Sequence, residues 1–243
     1  MILELIPRLR AADKIAPPYP LGKFPMKMIE SIGEDIIYAI CTQSVPKIEG
    51  NDWERIFAKA IGASWKPSNL GLDDIQLGNC AWSAKTVKGK LNQKRVRLIS
   101  GRNSPTYSFG EGTINRDADP KMIGAEVLSI WNARVDSIRK RFSHMRTVVL
   151  IKSDDLLTLR VFESETERYD SDRYEWFWNK RGNLEGHKGG KHFFTWQPHG
   201  SQFTIIADVP DNCTNFKLRK PPKLDEKVVL ESIHYDKSWI KII

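Results

Sequence analysis

Apolar positions along the chain repeat with two different periods. Over 26–43, Met28, Ile32, Ile36, Ala39 and Ile40 recur every three or four residues, which predicts an amphipathic helix. A second helix is predicted over about 51–63, capped by Asn51 or Asp52, with Ile56, Phe57, Ala60 and Ile61 facing the core. A third spans about 120–143. It carries Ile123, Val127, Ile130, Trp131, Val135, Ile138 and Phe142 on one side and Arg134, Arg139, Lys140 and Arg141 on the other. That apolar side reads as core or as a subunit contact. Residues 11–25, with Pro17, Pro18, Pro20 and Pro25, read as an extended arm rather than a packed element. Of the acids in the first helix, Glu30, Glu34 and Asp35 form a solvated face, with a metal-ligand role for Glu34 the lesser alternative.

Beyond residue 146 the period shortens to that of strands. The run 147–151 is almost wholly β-branched and reads as a buried central strand. Residues 157–162 alternate and pair with it after a turn at Ser153-Asp154-Asp155. Short strands are predicted at 174–179, 192–196, 203–209 and 227–233. Upstream, 73–85 reads as two short strands joined at Gly78-Asn79, a dipeptide suited to tight hairpins. Four residues of strand from Arg95 then run into a polar turn carrying Arg102 and Asn103. The expected fold is α/β: a mixed sheet flanked by helices, with a β-rich C-terminal half. All 243 residues form one domain, with the arm and helices in 1–65, a core over about 50–155 and a β-rich region over about 156–243.

The hairpin carries the chemistry. Alternation puts Ala81, Ser83 and Lys85 on one strand face, and it points Asp74 to that side because Ile75 and Leu77 are both apolar. Asp74 is therefore preferred over Asp73. A carboxylate beside a lysine suits metal-dependent phosphodiester cleavage: the acid holds a hard divalent cation, and the ammonium contacts phosphate or orients water. Glu54, on the first turn of the second helix, is a further acid, although an acid there also complements the helix dipole.

The helix with Glu54, the Asp74-Ile75 strand, the hairpin and Ser83-Ala84-Lys85 together resemble the core of the PD-(D/E)XK nucleases, particularly type II restriction endonucleases. The resemblance covers roughly residues 50–105. It implies Mg2+ held by Asp74, Glu54 and the carbonyl of Ala84, with Lys85 positioning the attacking water. Ser83 departs from the pattern, standing where the family usually has Asp or Glu. Glu54 then supplies the missing carboxylate, with Glu111 the weaker candidate. A homodimer on duplex DNA follows from the same resemblance, joined through the helix at 120–143 or the arm.

Charge agrees with a polyanionic partner. The net charge is +8, and the segment 85–102 holds Lys85, Lys88, Lys90, Lys94, Arg95, Arg97 and Arg102 without an acid. Two polar stretches, 179–191 and 195–202, read as loops between aromatic strands. With Arg181, Asn183, Lys188, Gln197, His199, Ser201 and Gln202 they offer the groups that hydrogen-bond base edges. His187 and His199, twelve apart with no paired carboxylate, do not make a metal pair. Cys41, Cys80 and Cys213 are too few and too scattered for a disulfide framework or a zinc site, which favours a reducing, cytoplasmic setting. The N-terminus is too interrupted for a signal peptide, and no apolar run reaches the length of a membrane span. The expected function is a Mg2+-dependent, sequence-specific DNA endonuclease. The alternatives are a repair nuclease on the same core and a non-catalytic nucleic-acid-binding protein.

Overall fold

The computed structural model describes residues 16–66, 72–110, 112, 114 and 116–242. In chain order the elements are α1 (Met26–Thr42), α2 (Gly50–Ile61), β1 (Ser64–Trp65), β2 (Ile75–Leu77), β3 (Cys80–Lys88), β4 (Arg95–Arg102), α3 (Pro105–Phe109) and α4 (Pro120–Arg139). There follow β5 (His144–Lys152), β6 (Thr158–Glu165), β7 (Glu175–Trp178), β8 (Leu184–Lys188), β9 (Lys191–Gln197), β10 (Gln202–Asp208), β11 (Thr214–Lys217) and α5 (Glu226–Ser232). The fold is mixed α/β with two sheets. The first has the order β1-β2-β3-β5-β6-β11 and the second β4-β10-β9-β8-β7. β3 and β5 run parallel over nine residue pairs, whereas the second sheet is antiparallel throughout its described pairs.

Alternation along β3 and β5 gives the first sheet two apolar faces. On one, Trp82, Ala84, Val148 and Leu150 meet the buried stripes of α1 and α2. On the other, Ala81 and Met145 meet α4 and the inward face of the second sheet, including Trp176, Phe194 and Phe203. Val149, Ile151 and Phe162 pack there against Val96 and Leu98 of β4. Three layers result: two helices, the mixed sheet, then α4 together with the second sheet. Among the described residues, no helix is long and apolar enough to cross a membrane.

One buried carboxylate joins several of these parts. Glu163 of β6 accepts hydrogen bonds from Tyr19 Oη (2.8 Å), Trp82 Nε1 (2.6 Å), Arg146 Nη1 (3.2 Å) and the Gly22 N–H (3.1 Å). The arm, β3, β5 and β6 meet at this point. Burial, then the Glu163 charge, pushes the Tyr19 hydroxyl far up, so it remains a neutral donor.

The structure revises several expectations. The 16–25 part of the arm is packed rather than free, since Tyr19 is buried in the core; 11–15 lie outside the described residues. Helix α2 is capped by Glu49, not Asn51 or Asp52, and Asp52 returns the hydrogen bond as its capping-box partner. Residues 227–233 form helix α5, not a strand. Asp225 accepts from the Lys227 and Val228 N–H groups, and that cap overrides the β-branched Val228-Val229 pair. Strand β4 is twice the expected length and belongs to the second sheet. Residues 184–188 are strand rather than loop. Most of the apolar stripe of α4, Ile123, Val127, Trp131, Val135 and Ile138, is buried within this chain, while Ile130 is half-buried and lines an apolar pocket with Phe109.

Replacing Glu163 with Ala leaves Arg146 buried without its partner. This is expected to destabilise the protein by about 3–5 kcal/mol. A denaturant titration that found the midpoint unchanged would remove Glu163 from the centre of the fold.

Candidate active site and nucleic-acid interface

The β2–β3 hairpin turns at Gly78-Asn79 and pairs Ile75 with Trp82. Extending that register by one residue sets Asp74 opposite Ser83. Opposed residues in an antiparallel pair share a face, so Asp74, Ser83 and Lys85 lie on the same side of the sheet. The Asp74 backbone is held there because the Lys66 N–H donates to its carbonyl at 2.8 Å. Ile75 and Leu77 face the α1/α2 core. The neighbouring Asp73 is otherwise engaged: its carboxylate is 2.6 Å from Arg141 Nη2.

Glu54 projects from α2 and accepts from Trp65 Nε1 at 3.0 Å. Burial pushes its pKa up, the Trp65 hydrogen bond opposes this, and the Asp74 charge adds to the rise. Burial also lowers the pKa of Lys85, against the pull of Asp74 and Glu54. Two acids and a lysine from three elements are thus within electrostatic reach of one another. The fourth member is Arg134 of α4, which sequence alone assigns only to a basic helix face. Its pKa is lowered by burial and supported by Asp74. Its Nη1 donates to the Ser100 carbonyl at 2.8 Å and to Asn103 Oδ1 at 3.1 Å. Gly101, at φ +110°, makes room for it, since a Cβ there would sit 2.6 Å from Nη1.

These residues fit a hard divalent cation. Asp74 and Glu54 supply carboxylate oxygen, and their mutual repulsion is what a cation would relieve. Pairing of β3 with β2 ends at Trp82, so among the described residues no ladder partner covers the β2-side edge at Ala84. Ser83 is fully buried and offers only a hydroxyl. Glu111 lies outside the described residues. Glu34 is exposed on α1.

The second sheet's solvent face gathers part of the expected reading surface. Gln202 pairs with Arg102 on one side and Gln197 on the other, so these three residues form one row across β4, β10 and β9. His199 and Ser201 sit on the turn beside that row. A groove of about 630 Å3 runs alongside, lined by Arg97, Arg181, Asn183, Glu185, Thr195 and Gln197. Lys188 is not with them. It lies at the Gly189-Gly190 turn, at the far end of the β8–β9 hairpin.

Three expectations are corrected here. Asn103 is fully buried and cannot read DNA: its Nδ2 donates to the Val127 carbonyl (2.9 Å) and its own carbonyl accepts from Trp196 Nε1 (2.7 Å). The basic segment is free of acids only along the chain. Asp154 pairs with Lys88 (2.7 Å), Asp211 with Lys94 (2.9 Å) and Asp208 with Arg95 (3.0 Å), while Lys90 and Arg102 remain exposed. Such exposed pairs are weak, so Lys88 can exchange its partner for a phosphate, but Arg95 is also tied to the His192 carbonyl. Finally, His187 does have a paired carboxylate: Glu185 lies beside it, with His192 opposite on β9.

No family model, no curated protein and no solved structure matches this chain.

Because the folded pKa of Glu54 is raised, the folded protein holds that proton more tightly than the unfolded chain. Its ionisation therefore removes stability as pH rises through the raised value. Glu54→Gln is expected to raise the melting temperature of metal-free protein at pH 7 by about 1–3 °C. The gain should disappear at pH 4, and added Mg2+ should stabilise only the wild type. Melts of both proteins at the two pH values decide it, and a lower melting temperature for the variant at pH 7 counts against the reading.

Proposed function

We propose that this chain is a Mg2+-dependent, sequence-specific endonuclease of double-stranded DNA, of the type II restriction kind, on a PD-(D/E)XK-like core. The observation that carries the reading is the convergence of Asp74, just before β2, Glu54 of α2 and Lys85 of β3 on one partly buried patch. Mg2+ bound by Asp74, Glu54 and the Ala84 carbonyl would supply the charge that stabilises the transition-state phosphate and the leaving oxygen. Lys85 holds the attacking water. Its lowered pKa brings the ammonium closer to the range in which it exchanges a proton with that water. Arg134, fixed through Ser100 and Asn103, ties this patch to the end of β4, where Arg102 begins the Arg102–Gln202–Gln197 row. Cleavage and base reading would then be held in register by one arginine.

A second copy across a two-fold axis suits a palindromic site. The three free cysteines suit a reducing, cytoplasmic setting. Ser83 in place of an acid favours a second reading, a DNA-binding protein without cleavage.

Digestion of unmethylated plasmid and phage DNA separates these readings. With Mg2+ the wild type should give discrete bands that vanish in EDTA. Lys85→Ala and Asp74→Ala should each lose roughly 10²-fold or more in cleavage while still shifting duplex DNA on a gel. Undiminished cutting by Lys85→Ala would overturn the site. A smear, or preference for branched DNA, would point to a repair nuclease; intact DNA with retained binding would favour the second reading.

Arg102→Ala and Gln197→Ala should each weaken binding to the preferred sequence by about 1–3 kcal/mol relative to random duplex. Equal loss on both DNAs would reduce these residues to phosphate contacts.

A further inference from the structure

The β8–β9 hairpin brings three metal-ligating side chains close together in space. Glu185 and His187 sit two residues apart on β8, and His192 faces His187 from β9. The register shifts between Gly186 and His187, and such irregularities re-aim side chains. Here the two imidazoles stack at 4.6 Å between ring centres with a 15° interplanar angle. His187 Nε2 is 3.1 Å from Glu185 Oε2, and His192 Nε2 is 4.0 Å from the same oxygen. One donor atom from each residue lies within 4.8 Å of the others. Tetrahedral zinc, with bonds of about 2.0–2.1 Å, holds its ligand atoms roughly 3.3–3.4 Å apart, close to the 3.1 Å between His187 Nε2 and Glu185 Oε2.

The surroundings are those of ligands already oriented. Asn179 Nδ2 donates to Glu185 Oε1 at 2.6 Å, leaving Oε2 turned towards the histidines. His192 Nε2 lies 2.7 Å from the Phe194 carbonyl and 3.0 Å from Thr195 Oγ1. The Phe194 carbonyl makes Nε2 the proton-bearing nitrogen of His192, so Nδ1 is the nitrogen it would offer a metal, and outer partners of this kind hold ligating histidines and carboxylates in place. The side chains of His187 and Glu185 are each 19% exposed and that of His192 is 22%, so an ion can enter, yet most of each group is removed from water.

We infer that Glu185, His187 and His192 form a binding site for a Zn2+-class transition-metal ion, with a water molecule as fourth ligand. Two imidazoles and one carboxylate suit Zn2+ better than Mg2+, which prefers oxygen alone. The ion would cross-link β8 to β9 where their register slips and so stiffen the wall of the groove that Glu185 lines. The site shares no residue with the Asp74–Glu54–Lys85 patch and does not depend on the endonuclease reading.

The test needs no DNA. Full-length protein, stripped with chelator and dialysed, is titrated with ZnCl2 by calorimetry, and with CoCl2 as a visible-absorption probe. In protein carrying Asp74→Ala, which removes the oxygen-rich patch, one equivalent should bind, with the intense bands of four-coordinate cobalt. His187→Ala and His192→Ala should each weaken Zn2+ binding at least tenfold, and Asn179→Ala about 10–100-fold, as loss of an outer partner does. His234→Ala, far along the chain, should leave the affinity unchanged. Absence of stoichiometric zinc in the Asp74→Ala protein, six-coordinate cobalt bands, or full affinity in a folded His187→Ala/His192→Ala protein would overturn the site. If the histidine variants do not fold, the Asp74→Ala cobalt spectrum decides between four-coordinate bands, which support the site, and six-coordinate bands, which remove it.

Discussion

The buried Glu163 carboxylate is the interaction on which the layered arrangement depends. A charge removed from water is tolerated only when its lone pairs are met, and here four donors from three stretches of chain, the arm, β3 and β5, meet them. Trp82 is one of those donors, so the hydrogen bond fixes both the depth and the rotation of β3. Every second residue of that strand faces the opposite way. Seating Trp82 and Ala84 in the α1/α2 core therefore obliges Ser83 and Lys85 to face Asp74 on the other side.

Topology does the rest. β3 and β5 are parallel, so the chain between them must cross over the sheet. That connection contains β4, α3 and α4. β4 leaves to become the edge of the second sheet, and α4 returns across the first sheet's face carrying Arg134. One connection thus delivers the arginine beside Asp74 and Lys85, and the strand whose end it grips. Arg134 and Arg102, both carried by this crossover, connect the candidate patch to the Arg102–Gln202–Gln197 row.

Electrostatics follows from the same folding. Seven basic residues between 85 and 102 suggest a uniform positive strip, but Asp208 at the end of β10 and Asp154 and Asp211 in later turns meet three of them. What survives is patchier: Lys90, Arg97 and Arg102 on the surface, and a cluster of mutually perturbed groups inside. The two kinds of site differ in their donors. The β2–β3 patch offers only oxygen and nitrogen cations, whereas the β8–β9 hairpin offers imidazole.

By itself the sequence determined the elements whose signals are local. The stripes of α1, α2 and α4, the Gly78-Asn79 hairpin and the β-branched run of β5 are all readable, because period and turn chemistry act within a few residues. Even the choice of Asp74 over Asp73 follows from alternation, and the placement of Asp74 with Lys85 agrees with it. The expected strand at 227–233 fails because the Asp225 cap outweighs β-propensity there. Tertiary structure alone decided what depended on distant partners. It turned Asn103 inward onto Val127 and Trp196, recruited Arg134, gave the basic run its acids, and set His192 and Glu185 against His187. Each of those outcomes requires a contact across dozens of residues, or a one-residue register shift, and neither leaves a trace in the local pattern of the chain.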